Sequence, residues 1–173
     1  MKIVKNIAVF GFPDAGTTTL IDEFYTDISF VLDSVNEYRF ILDDASAFLF
    51  ILNFLEKYGS EKIDEYMQEC VKAYFDKIDC IIWVVDSTID FVDKACLKVL
   101  INLIDYKKLI IAFNKCDSAI NIPNGFEDAY SDAFLASTSL FISLKTGKNY
   151  EFLKHCVYKK LFPHVYDFSK FVL

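Results

Sequence analysis

Two histidines, at positions 155 and 164, and five cysteines with no C-x-x-C pair leave this chain without any metal-ligand spacing. Neither histidine has a recognisable partner in the pattern. Cys70, Cys80, Cys96, Cys116 and Cys156 are scattered, so buried free thiols in a reducing cytoplasm are the expected state. No apolar run reaches the roughly 18–20 residues that a membrane-spanning helix needs. The apolar stretch at 3–12 is too short for a signal segment with its cleavage site and reads as a strand. Positive charge is scarce too: 18 Lys and Arg against 25 Asp and Glu leave a net charge of -7. Nucleic acids and anionic membranes want a basic patch, so the overall charge argues against both as partners without excluding a local patch.

What is abundant is apolar material. Apolar residues make up 54% of the 173 positions, aromatics 17%, and Phe alone occurs 18 times. That is enough for one domain with a sizeable core and excludes disorder for most of the length. We expect a single domain over 1–163 with a tail at 164–173, and no repeat, linker or second domain.

The pattern along the chain is α/β. Near-continuous apolar runs at 3–10, 80–85 and 109–113 suit central parallel strands buried on both faces. A short run at 140–142 suits a last strand. Stretches at 28–32 and 38–42, joined by a polar D-S-V-N-E, read as a hairpin that would add one antiparallel edge strand. Helices are expected at 17–25, over 45–74 with a break near Gly59-Ser60, at 91–104, at 126–135 after Pro123-Asn124-Gly125, and at 150–162, stopped by Pro163. Alternating strands and helices imply crossovers, a parallel sheet and helices on both faces.

Four segments at strand exits carry the chemistry. The first is Gly11-Phe12-Pro13-Asp14-Ala15-Gly16-Thr17-Thr18-Thr19, a strand running into G-x-x-x-x-G-x-T and then a helix. Backbone N–H groups there can wrap an anion. The same residues also make an ordinary strand-turn-helix with a glycine bend, and the loop alone does not separate the two. Thr17 stands where a phosphate loop has its lysine, and Asp14 adds a carboxylate beside the anion. The second segment is Asp43-Asp44-Ala45-Ser46 at a strand end, placed like D-x-x-G but with Ser46 for the glycine and Ala47 after it, so no glutamine is at hand to orient a water. The same residues equally suit a strand end with a capping Asp. The third is Asn114-Lys115-Cys116-Asp117, an N-K-x-D at the end of an apolar run. The fourth is Ser143-Leu144-Lys145, between the last strand and the last helix, similar to an S-A-K segment.

In this order the segments resemble the Ras-like and translation-factor-related P-loop GTPases, over nearly the whole chain. The helical stretch at 63–67, followed by Asp79 to Thr88 with its D-x-x-x-x-V-x-D pattern, looks most like the Era and EutP branch. The RNA-binding domain of Era has no counterpart in this sequence. The resemblance implies a three-layer fold around a mostly parallel six-stranded sheet, a GTP or GDP ligand and Mg2+. It implies that Asp117 accepts two N–H groups of guanine, that Lys115 lies over the base and that Asn114 ties the segment to the phosphate loop. Ser143, Leu144 and Lys145 would contact the guanine oxygen. Gly11, Asp14, Ala15, Gly16, Thr17, Thr18 and Thr19 would line the phosphates, with Thr18 and Asp43 holding Mg2+. A site built on paired bonds to guanine rejects adenine, which would leave a buried carboxylate unpaired.

The departures share one side. The lysine, the D-x-x-G glycine and a first switch, squeezed to 26–29 with Thr26 as a poor stand-in, all concern the γ-phosphate. The expected function is therefore guanine-nucleotide binding with weak or absent intrinsic hydrolysis, exerted through a protein partner. Two alternatives stand beside it: a GTPase completed in trans by a basic residue, and an interaction module that binds no nucleotide. The run at 45–55, A-S-A-F-L-F-I-L-N-F-L from Ala45 to Leu55, is apolar on every helical face. It either collapses onto its own domain or forms a homodimer or partner interface. The tail, with Tyr166, Phe168 and Phe171, raises the same choice.

Overall fold

Among the described residues five strands, every neighbouring pair parallel, form one sheet in the order β2-β1-β3-β4-β5. The elements are β1 (Ile3–Gly11), α1 (Thr17–Leu32), β2 (Tyr38–Asp44), α2 (Glu65–Asp76), β3 (Cys80–Asp86), β4 (Leu109–Asn114), β5 (Thr138–Phe141) and α3 (Tyr150–Leu161). The computed structural model describes residues 3–32, 38–45, 65–90, 104–124 and 137–163. Among these no helix is long and apolar enough to cross a membrane. The expected helices at 91–104 and 126–135, nearly all of the 45–55 run, and the tail lie outside the described residues.

The central strands are nearly continuous apolar runs, at 7–10, 80–85 and 109–113, because both of their faces are covered there. Side chains alternate across the sheet, so Ala8, Phe10, Ile81, Trp83, Ile111 and Phe113 join one core. Their neighbours Ile7, Val9, Ile82, Val84, Ile110 and Ala112 join the other. On the first face α2 contributes Val71 and Phe75, one helical turn apart. On the second face α1 contributes Leu20 and Phe24, and α3 contributes Leu153, Val157 and Leu161. Phe10 is wedged between Trp83 and Phe75, with ring centroids 5.3 and 6.0 Å away. Each such fully buried side chain contributes about 2–3 kcal/mol through the apolar area it removes from water.

Several expectations need correction. Residues 28–32 are not a strand: α1 continues through them to Leu32. Their β-branched and aromatic residues favour a strand locally, but Leu20, Phe24, Ile28 and Val31 recur at helical spacing, and that longer period wins. With a helix between β1 and β2 the chain crosses over, so β2 pairs parallel with β1, Ile3 opposite Tyr38, rather than closing a hairpin. The antiparallel edge strand and the six-strand count are thus replaced, among the described residues, by five parallel strands. The second correction follows from the first. Thr26 lies inside α1 and cannot serve as a loop threonine; the connection to β2 is 33–37, outside the described residues. β5 also starts two residues earlier than the sequence suggested. Cys80, Cys116 and Cys156 are buried free thiols as expected, and burial pushes Cys80 up to about 12, but Cys70 is exposed. His155 is half-buried and does have a partner: it stacks on Phe152.

Candidate functional site

The described strands being parallel, their carboxyl ends share one edge, the usual place for ligands in open α/β sheets. Gly11 closes β1 at this edge opposite Val84. A Cβ on Gly11 would sit 2.5 Å from the Val84 carbonyl oxygen and 2.9 Å from Thr17 Oγ1, so no side chain fits there. The chain then turns, with the Ala15 N–H donating to the Phe12 carbonyl at 3.1 Å. Asp14 and Gly16 take positive φ values of 64° and 100°. α1 begins at once, its Leu20 N–H bonded to the Gly16 carbonyl at 3.0 Å. The N–H groups of its first turn therefore face the loop without intrahelical acceptors. Thr17 is buried, while Asp14, Thr18 and Thr19 are exposed. Positions 11–19 contain one carboxylate and no cation.

The exit of β4 is tied to this loop by Asn114, which is 4% exposed. Its Nδ2 donates to the Ala15 carbonyl at 2.8 Å, and its Oδ1 accepts the Leu144 N–H at 3.1 Å. One side chain thus joins the phosphate-type loop, the N-K-x-D segment and the 143–145 segment, as the sequence suggested for the first two. Asn114→Ala would leave a carbonyl and an N–H without partners and should cost about 2–3 kcal/mol of stability. The midpoint of urea unfolding measures this; a negligible shift would mean water replaces both bonds.

Asp117 sits just beyond. Its Oδ1 accepts from Ser143 Oγ at 2.7 Å, and Lys145 Nζ lies 3.8 Å from Oδ2. Ser143, fully buried, accepts in turn from the Thr146 N–H at 3.2 Å. The Ser143 hydroxyl, with help from Lys145, holds the Asp117 carboxyl below the usual carboxylate range. A charged acceptor held from behind is suited to taking two N–H donors from one flat ligand edge. The segments around it are pinned by backbone bonds from Cys116 N to Ile142 O at 3.0 Å and from Ile142 N to Phe113 O at 2.8 Å.

The end of β3 also belongs to the site, and the sequence reading missed it. Asp86 Oδ2 pairs with Lys115 Nζ at 2.5 Å. Ser87, fully buried, places Oγ 2.6 Å from the Asn114 carbonyl and 2.8 Å from the Ala119 carbonyl, which share its single proton. Burial raises the Asp86 carboxyl, but the bonds from Lys115 and Thr88 outweigh it and leave the group below its ordinary value. The available signal was the Asp-Ser-Thr cluster at an apolar strand's exit, which by itself only suggests a turn.

For the metal, Thr18 is in the first turn of α1, and the backbone of Asp43 lies in β2 opposite Ala8, near the same edge. The Ala45 N–H bonds to the Val9 carbonyl at 2.8 Å, keeping the chain on β1 just past this point. Ser46 is outside the described residues. Among the described residues no cluster of three or more His, Cys, Asp or Glu could hold a metal by itself. One hydroxyl and one carboxylate fit Mg2+ only as partners of ligand phosphate oxygens, the ion's usual arrangement at nucleotide sites.

Solved GTP-binding proteins share this fold. A probable GTP-binding protein EngB superposes with a TM-score of 0.56 at 18% identity, over 92% of this chain and all of that one. The elongation factor SelB from Methanococcus maripaludis, solved with the GTP analogue GppNHp, gives 0.50 at 22% identity, over 93% of this chain and 34% of that one. The cytosolic domain of the FeoB iron transporter from T. maritima, in its GMPPNP form, gives 0.52 at 17% identity, over 91% and 64%. No family model and no curated protein matches the sequence. Identities this low make the likeness one of fold.

Proposed function

We propose that this chain binds a guanine nucleotide at the carboxyl edge of its sheet and hydrolyses it weakly or not at all, acting through a protein partner. The observation that carries the reading is Asn114 bonded to both Ala15 and Leu144, with Asp117 braced by Ser143 beside it. That arrangement offers guanine a charged two-point acceptor, and Ser143, Leu144 and Lys145 line the position of its oxygen. Gly11 to Thr19 would take the phosphates through backbone N–H groups, and Thr18 and Asp43 would hold Mg2+ together with phosphate oxygens. Mg2+ there would neutralise phosphate charge. Weak hydrolysis follows from Thr17 in place of a lysine, with Asp14 beside it. Charge stabilisation at the transferred phosphoryl group is the main source of catalysis in this chemistry. The α2 helix followed by Asp79 and Asp86 supports a place near the Era and EutP branch. The apolar run at 45–55 and the tail at 164–173 are the proposed contacts for a partner or a second copy; light scattering at high concentration tests self-association.

Titration with fluorescent GDP, GTP and ATP tests the reading. Saturable binding of GDP and GTP with ATP far weaker is expected, and no binding at high micromolar concentrations would sink it. Equal affinity for ATP would remove Asp117 from base recognition. Thr17→Lys should tighten GDP and GTP binding by about tenfold or more, the worth of one charge-assisted phosphate contact. Unchanged affinity would mean a loop of the wrong shape rather than one short of positive charge.

A further inference from the structure

We propose that the Asp86-Ser87-Thr88 exit of β3 positions the base-reading loop, with Asp86 holding the Lys115 ammonium so that the lysine stem forms a fixed wall for the purine face. The inference rests on the guanine-nucleotide reading above. Asp86 is only 8% exposed, and both of its carboxylate oxygens are engaged. Its Oδ1 accepts the Thr88 N–H at 2.8 Å and the Thr88 hydroxyl at 2.6 Å, which leaves Oδ2 for Lys115, 29 residues away in sequence. Ser87 fastens the same loop at two further points: its N–H and Oγ reach the Asn114 carbonyl, and Oγ also reaches that of Ala119. Between these anchors Lys115 itself has φ 66°, in the left-handed region that a lysine rarely adopts. Such a conformation persists where its surroundings over-determine it, commonly at ligand sites.

The physical role follows from the side chain. A free lysine stem loses rotamer freedom when it packs on a base, and that loss subtracts from affinity. Pairing the ammonium with a fixed carboxylate pre-orders the stem before the ligand arrives. The same pairing withholds the cation from the phosphates, so Asp86 acts on the base half of the site. Asp86 is a positioning residue: it is argued to act through Lys115, not on the ligand.

A double-mutant cycle decides this. Affinity for fluorescent GDP is measured for the natural protein, Asp86→Asn, Lys115→Met and the double variant, together with melting temperatures of all four without nucleotide. Lys115→Met keeps the stem and removes the ammonium. Each single change should weaken GDP binding about tenfold, the double change no more than either alone, and Asp86→Glu should recover part of the loss. The melting temperature of Asp86→Asn should stay close to that of the natural protein, because a released Lys115, already part-exposed, can reach water. Lys115→Met should melt lower, because it leaves the mostly buried Asp86 carboxylate without its cation. A roughly hundredfold, multiplicative loss in the double variant would show that Asp86 acts without Lys115 and overturn the proposal. So would unchanged affinity in Asp86→Asn, and so would tighter binding, which would make Asp86 a competitor of the phosphates for the cation. If Asp86→Asn does not fold, Thr88→Val removes one anchor of the carboxylate; it should weaken binding less, and not at all in the Lys115→Met background. A dependence on Thr88 that survives in that background overturns the proposal. Failure of the natural protein to bind any guanine nucleotide would overturn both this inference and the reading beneath it. Binding that ignores Asp86 overturns the inference alone.

Discussion

Asp117→Asn should lower affinity for GDP on the order of a thousandfold while raising affinity for the xanthine analogue XDP. The carboxylate is ionised because the Ser143 hydroxyl and, more distantly, Lys145 favour its charged form. Guanine presents two N–H donors on one edge, and bonds from such donors to a charged acceptor contribute about 1.5–3 kcal/mol each. Asn keeps one acceptor oxygen and brings an N–H group, so one guanine donor would face another donor with no water between them. Xanthine carries a carbonyl where guanine carries its amino group, and the Asn amide can donate to it. The brace survives the change, since Asn Oδ1 can still accept from Ser143, so a change in specificity is separable from a change in folding. Competition titrations with GDP, XDP and ADP measure it. Retained GDP affinity would place the base elsewhere and end the present reading.

Gly16→Ala should cost about 3–5 kcal/mol of stability. Two causes act together. Gly16 has φ 100°, a conformation that L side chains rarely adopt. A Cβ there would also collide with the Asn114 side-chain amide. That amide has no room to withdraw, being held by the Ala15 carbonyl on one side and the Leu144 N–H on the other. Either the backbone rotates and α1 loses its first turn, or Asn114 gives up its bonds and the three site loops separate. Gly147 is the control. It also has positive φ, 76°, but nothing lies within 4 Å of its would-be Cβ. Gly147→Ala should therefore cost only about 1 kcal/mol, the backbone strain alone. Urea unfolding of both variants gives the comparison. Equal losses would show that Asn114 can move aside and that the loops are less firmly joined than their bonds imply.

The legible part of the site was the part written in contiguous residues. Asn114 to Asp117 and Ser143 to Lys145 are strand exits whose side chains converge because β4 and β5 pair in parallel, Phe113 opposite Phe141. The Thr17 substitution was equally plain, since loss of a lysine is a local fact. Asp86 was not legible as a site residue. Its meaning depends on lying opposite Asn114 in the β3–β4 register, and nothing at positions 86–88 announces that neighbour. The end of α1 was misread for the opposite reason: residues 28–32 have a local strand preference that a helical stripe begun at Leu20 overrides.

By itself the sequence determined the central strands, because a strand covered on both faces must be apolar at every position, and β1, β3 and β4 are nearly so. It also determined the uneven charge of the edge, with Asp86, Lys115, Asp117 and Lys145 near the later strand exits and no cation at positions 11–19. Only the tertiary structure decided the parallel placement of β2 and the seating of Lys115 on Asp86. Both depend on contacts between residues far apart in the chain. Register across the sheet creates those contacts, and local propensity does not encode it.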